Sequence, residues 1–298
     1  MERKLIKQGE GGCTIYVPKK WLDENRLSAG DRISINEEEN KLVISTKDYK
    51  PPIKTTSLEI KKNDFHTYRG ILGGMYRAGY QEIKISFKDM KVVQMLEKTS
   101  NYLFGFEVVD INQTGCTIKG IYKEEGDEIE SFVQKIIHTI KVMQEIVLQD
   151  IKDQKYESKE ELSQYRNNVL KYRDLIIRTI VKQKLLGNKH FPYHQIAFSL
   201  WNVARTYYML YDNLDQKKKY SKHNLELLEK TNKFFTESFS NLKKRDLHSR
   251  FENYGKLRTE IFNTLNNQKE TGIVAAESLQ ILIATHSADS SIAILNLE

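Results

Sequence analysis

Cysteine is almost absent from this 298-residue chain: Cys13 and Cys116 are the two present, far apart and in neither CxxC nor Cys/His spacing. That excludes a disulfide framework and a structural zinc site of ordinary spacing, and it points to a reducing, cytoplasmic compartment. Proline is scarce as well, with three of the four (Pro18, Pro51, Pro52) falling before residue 53 and only Pro192 after it. No long uncharged apolar run occurs and the mean hydropathy is -0.58, so no transmembrane helix is expected. The opening MERKLIKQGEGG is charged and lacks an apolar core, so no secretory signal is expected either. No Ser/His/Asp, Cys/His or paired-carboxylate set carries a motif, so no catalytic residue is assigned and the chain does not read as an enzyme.

What is present is charge. Lys+Arg number 47 against 40 Asp+Glu, a net +7, with 29% charged and 39% hydrophobic residues, a balance that suits a folded chain. Spread over the whole length, +7 says little about nucleic acid. Length alone suggests about two domains, yet the pattern changes character twice. From Glu2 to about Thr46, period-2 apolar positions (Ile15 and Val17, Ile33 and Ile35, Leu42 and Ile44) predict short strands. Turn residues separate them at Gly9, Gly11 and Gly12, at Gly30-Asp31 and over Glu37–Asn40, and Pro18 can open a short helix in which Trp21 and Leu22 face inward. The stretch Tyr49–Thr56 (YKPPIKTT) reads as a linker.

From Ser57 to about Tyr122 the pattern predicts a small α/β unit. Its expected elements are a strand at Leu58–Lys62, a helix near Asp64–Ala78, a strand at Glu82–Phe87 and a helix near Met90–Thr99. A hairpin, Phe106–Ile111 with Thr117–Tyr122, is expected to turn at Gln113–Gly115. Beyond about Asp127 the period is helical: Ile129, Phe132, Val133, Ile136, Ile137, Ile140, Met143, Ile146 and Val147 recur at steps of three and four. Capping-box spacing at Ser158–Glu161 and a stop signal at Gly187-Asn188 help to divide this region into six helices. They are expected near residues 127–155, 159–187, 192–215, 218–243, 247–267 and 271–297, in two tandem three-helix units without a close sequence repeat. Domains are therefore expected over residues 1–48, 57–122 and 127–298, the last divided at about 215/218.

Residues 3–46 carry KQGEGGCTIYVPKKWLDENRLSAGDRISI and then KLVI, with Ile15, Pro18, Lys19, Leu27, Gly30 and Asp31 in that order. This stretch resembles the SpoVT/AbrB-type DNA-binding domain. The resemblance implies a swapped-hairpin, all-β barrel made by two chains, a homodimer, with double-stranded DNA as the partner. Elementary physics agrees, because some 45 residues of short strand expose more apolar edge than they can bury alone. The candidate DNA contacts are Arg3, Lys4, Lys7, Lys19 and Lys20; over residues 1–20 they oppose Glu2 and Glu10, a local +3 per chain and +6 per dimer. Arg26 and Arg32 are weaker candidates. No recognition helix or aromatic stacking platform is visible, so readout is expected from phosphates and duplex shape. The plainer account is that Lys19 and Lys20 are solvated lysines at a helix start.

The helical segment resembles the PhoU phosphate-uptake regulators, whose bodies are two three-helix bundles. The order of the three segments, with RGILGGMYRAGYQEIKI in the middle one, is similar to archaeal-type PhoU regulators. The resemblance implies a cytoplasmic regulator of phosphate uptake, or alternatively an adaptor on a phosphate transporter or signalling protein in which the first domain only dimerises. PhoU proteins commonly hold metal clusters through a Glu/Asp-x-x-x-Asp pattern, since carboxylates one turn apart chelate a hard cation. This chain departs from that pattern: Asp174 is preceded by Leu170, Ala204 and Tyr208 stand where a pair would be, and Asp289 is preceded by Thr285. Asp174 and Asp289 are thus the residual metal candidates, with salt-bridged carboxylates the plainer reading, and no cofactor is assigned.

Other constellations carry less. Gly70, Gly73, Gly74 and Gly79 fit neither GxGxxG after a strand nor a GK[ST] loop, so close helix packing is expected of them. Arg69 and Arg77 in the same stretch could hold an anion. His190 and His194 have i,i+4 spacing, but Pro192 between them is expected to break the helix a zinc face needs, leaving HFPYH as a turn. His286 reads as a core histidine. Tyr207, Tyr208, Tyr211, Phe234, Phe235 and Phe239 read as a core stripe, and the last helix, with few charges, as a buried one. Basic runs at Lys217–Tyr220 and Lys243–Asp246 read as solvated helix breaks.

Overall fold

A computed structural model describes residues 2–9, 11–38, 41–46, 53–121, 129–183, 190–240, 247–267 and 272–295. Linker residues 49–52, the turn residues 39–40, the stop signal at 187–188 and the basic run at 243–246 lie outside the described residues. The chain divides into two compact units, Met1–Pro52 and Ile53–Glu298. The α/β and helical segments both fall in the second unit.

The first unit pairs β1 (Ile6–Gln8) with β2 (Gly12–Thr14), antiparallel, then runs through helix α1 (Lys19–Glu24) to the antiparallel pair β3 (Ile33–Glu38) and β4 (Lys41–Thr46). The sequence expected a strand through Ile15 and Val17, but β2 ends at Thr14. The approach to Pro18 explains this: proline lacks the N–H a ladder needs, and its N-cap φ of -58° suits the start of α1. Trp21 and Leu22 are only half-buried, and no described residue of this unit is buried.

The second unit opens on an α/β layer of β5 (Thr55–Ile60), α2 (Phe65–Arg77), β6 (Glu82–Phe87), α3 (Val92–Ser100), β7 (Phe106–Asn112) and β8 (Gly115–Gly120). Sheet order is β5-β6-β8-β7; β5 and β6 are parallel across the α2 crossover, and the other pairs are antiparallel. In EIKISF, Ile83, Ile85 and Phe87 point inward at period 2 and meet Leu72 and Tyr76 of α2, Leu96 of α3 and Ile118 of β8. The first strand starts at Thr55, three residues ahead of the expected Leu58. Threonine pairs readily in a sheet without adding apolar signal, so the start was invisible to hydropathy. Asp64 caps α2, accepting from the backbone N–H of His66 and Thr67. The expected hairpin forms, but its turn is shorter: β7 runs to Asn112 and β8 starts at Gly115, and Asn112 Oδ1 accepts from Thr114 N at 2.9 Å.

Six helices follow: α4 (Ile129–Asp153), α5 (Lys159–Gln183), α6 (His190–Asp212), α7 (Lys222–Ser240), α8 (Leu247–Asn266) and α9 (Ile273–Leu295). Helices α4, α5 and α6 pack on one another, α9 packs on α7 and α8, and α6 against α9 is the most extensive helix pairing. One core runs from Ile136 and Ile140 through Leu200 and Tyr207 to Phe235 and Ile281, and a second joins Leu227 and Phe234 of α7 to Leu257 and Ile261 of α8 and Ala275 and Leu282 of α9. Fully burying each such aliphatic or phenyl side chain contributes about 1.5–3 kcal/mol. Tyr207, Tyr211, Phe234, Phe235 and Phe239 are buried, and Tyr208 is half-buried. Helix α9 is mostly apolar and buried, as its few charges imply.

Pro192 does not break a helix. Helix α6 begins at His190, which puts Pro192 in its first turn, where the missing N–H would have had no intrahelical partner. HFPYH is therefore helical, and His194 stacks on Phe198 with centroids 6.3 Å apart. No helix of the described residues is long and apolar enough to cross a membrane.

Candidate nucleic-acid interface

All five basic residues singled out in the first unit are exposed. Lys7 sits in β1 opposite Cys13 of β2. The Arg3 guanidinium lies over the Tyr16 ring, 5.6 Å from its centroid, which ties the basic N-terminal segment to the stretch that leads into α1. Lys4 lies between them in sequence and carries no pairing role in the hairpin. Lys19 and Lys20 form the first turn of α1, which has no side-chain cap and no acidic residue there. Cations at that end oppose the helix dipole, so helix stability does not account for the pair. Lys20 has Glu24 at 3.8 Å, a solvent-screened i,i+4 contact with little hold on either side chain. Arg26 and Arg32 are exposed too, Arg26 with a positive φ of 54°.

The same unit displays apolar side chains, among them Ile15, Ile35 and Leu42 of the period-2 pattern. Leu5, Ile6, Ile15, Tyr16, Ile35, Leu42 and Val43 are all exposed, Leu42 by 62% and Ile35 by 57%. Alternation in β3 and β4 places Ile35 opposite Ile44 and Leu42 opposite Glu37 on one face. Nearby, Asp31 accepts from Ser28 N at 2.7 Å, and Gly30 carries a φ of 97° that a side chain would strain.

The two acidic candidates are far apart in sequence, and each is engaged by arginine. Buried Asp174 accepts from Arg173 Nε (2.9 Å) and Nη2 (2.6 Å) and from Arg77 Nη1 (3.2 Å). Buried Asp289 accepts from Arg250 Nη1 at 2.8 Å, and Arg250 also donates to the carbonyls of Ser238 and Glu237. A cation at Asp174 would have to displace the buried Arg173 guanidinium, and one at Asp289 that of Arg250, 17% exposed. Around them, Leu170, Ala204 and Thr285 are buried, and Thr285 bonds back to the Ile281 carbonyl. Among the described residues no group of three His, Cys, Asp or Glu side chains could hold a metal ion. With both carboxylates held by arginine, these residues do not fit a metal cluster.

Arg178 escaped sequence reasoning because its partners lie about 100 residues away. Arg178 is 1% exposed and donates to the carbonyls of Tyr76 (2.6 Å) and Tyr80 (2.7 Å), at the C-terminal end of α2. It also lies over the rings of Tyr76 and Phe106, at 4.7 and 4.8 Å. The charged residues inside the apolar run of KYRDLIIR were the one visible sign. His286 is sandwiched by aromatics, stacked on Tyr254 at 3.9 Å and edge-on to Phe251 at 4.8 Å; burial lowers its pKa, and Asp289 acts in the opposite direction.

No family model, curated protein or solved structure matches this chain.

Proposed function

We propose that this chain is a dimeric, DNA-binding regulator of phosphate uptake. Its first unit pairs with a second copy and holds duplex DNA, and its helical body senses or relays the signal. The observation that carries the reading is the outward display of Arg3, Lys4, Lys7, Lys19 and Lys20 by a unit in which no described residue is buried. Such a unit gains most from a second copy, and pairing doubles the local +3. The resemblance of residues 3–46 to SpoVT/AbrB-type domains supports DNA as the ligand, and that of the body to PhoU regulators supports the link to phosphate. A coupling of about 1–3 kcal/mol between body and DNA would change affinity roughly five- to 150-fold.

Electrophoretic mobility shifts with duplex DNA at low salt test the reading. Binding is expected to weaken steeply with salt, and Lys19→Glu with Lys20→Glu to abolish the shift. Replacing the pair by Gln removes four cations per dimer and should flatten the log–log salt slope by about 3 to 4. Protein that shifts no duplex but co-purifies with transporter or signalling components would replace the regulator by an adaptor. Genomic immunoprecipitation at high and low phosphate tests the phosphate link, and occupancy that ignores phosphate would remove it.

A further inference from the structure

The second unit contains a concentration of positive charge that the DNA-binding reading does not use. The Arg69 guanidinium of α2 lies over the Tyr102 ring, 4.1 Å from its centroid, and that of Arg166 of α5 over the Tyr208 ring, also at 4.1 Å. Arg166 Nη2 donates to Asn167 Oδ1 at 3.2 Å. Neither guanidinium has an acidic side chain within salt-bridge distance among the described contacts; the nearby Asp174 is engaged by Arg77 and Arg173. Burial lowers the pKa of Arg69 most, with repulsion from Arg166 and Arg173 in the same direction and Tyr102 and Asp174 opposing. Two guanidiniums without a salt-bridged carboxylate of their own add to a positive field that attracts an anion.

Tyr102 and Asn167 are also walls of a cleft of about 330 Å³ between the end of α3 and the middle of α5. Lys98 and Lys171 line it from the two sides, with the amides of Asn101, Gln164 and Asn168, and no acidic residue lines it. Because Asn167 Oδ1 is taken by Arg166, the nitrogen of the same amide is left to the Tyr102 hydroxyl side, 3.5 Å away, as a donor. The lining is therefore rich in donors and carries two ammonium groups, backed by two guanidiniums through the shared walls. Its volume falls in the range of small-molecule sites, and it has room for about ten waters' worth of ligand. A single carboxylate would leave most of this charge unmatched, whereas linked phosphate groups would match it.

We propose that the cleft between α3 and α5 binds a small molecule carrying two or more phosphate groups, held by Lys98, Lys171 and the Asn167 amide in the field of Arg69 and Arg166. The inference is independent of the DNA-binding reading, because every residue in it belongs to the second unit. A ligand there would touch the α/β layer and the helical body together.

Titration calorimetry of the full chain with pyrophosphate, ATP, inorganic phosphate and sulfate tests it. Pyrophosphate or ATP is expected to bind saturably and more tightly than inorganic phosphate or sulfate; which of the two is tighter identifies the source of the phosphate groups. Lys98→Gln with Lys171→Gln should weaken that binding by about tenfold or more. The control Lys61→Gln with Lys88→Gln, in the separate cleft at the carboxyl ends of β5 and β6, should leave it unchanged. The proposal is overturned if neither pyrophosphate nor ATP binds with a Kd below about 1 mM, if sulfate binds as well as they do, or if both variant pairs weaken binding equally. Loss of DNA affinity in the Lys98/Lys171 variant without loss of pyrophosphate or ATP binding would also overturn it.

Discussion

At the scale of single residues, the second unit depends on charges placed where water is scarce. Asp174 neutralises Arg173, which is 7% exposed, and also holds Arg77. Asp174→Ala would leave the Arg173 guanidinium buried and unpaired, and it should cost about 3–5 kcal/mol in urea unfolding. Asp174→Leu combined with Arg173→Met should recover most of that, because Arg77 is a third exposed and can turn to solvent. If the double variant proves as unstable as the single one, the loss comes from packing and not from the stranded charge. The sequence showed that Asp174 lacks the acidic neighbour of a chelating pair and left a salt bridge as its plainer role. It could not show which arginines would meet it, because Arg77 comes from a different element, 97 residues away. The same holds for the five surface cations: their types and local excess were readable, and the Arg3–Tyr16 contact was not.

Elements with a strong period were readable almost residue by residue. The apolar steps from Ile129 to Val147 predict α4, and all nine positions but Ile146 are buried. Weak or interrupted patterns failed: β5 begins in two threonines, and Pro192 is harmless because of where it falls in α6. The β7–β8 hairpin adds a constraint that hydropathy cannot express. A Cβ on Gly115 would stand 2.5 Å from the Ile85 carbonyl oxygen of β6, closer than packed atoms come. Gly115→Ala must therefore shift backbone in the middle of the sheet, and a loss of about 1–3 kcal/mol is expected on thermal or chemical unfolding. Gly70→Ala, in α2 with open space around the new methyl, is the control and should be neutral or slightly stabilising.

For the whole molecule, the contrast between the two units matters most. One has cores built around Ile83, Leu200 and Phe235, and the other has no buried described residue while Ile35 and Leu42 stand in solvent. Pairing of two first units would bury that apolar face, and Ile35→Asp with Leu42→Asp would then place charges in the contact. Sedimentation at micromolar concentration is expected to show a dimer for the native chain and a monomer for this variant. A native monomer would remove the basis for a paired first unit. Residues 57–122 and 127–298, expected as two domains, share the second compact unit, with a core cluster in each. Arg178 bears on how the molecule can be taken apart. Its side chain supplies donors to the Tyr76 and Tyr80 carbonyls from across the layer, so a fragment ending near residue 121 would expose two acceptors and lose a buried cation–aromatic stack. A cut at 52/53 leaves every one of these bonds intact, which makes that junction the natural place to exchange or remove the first unit while keeping the rest of the fold.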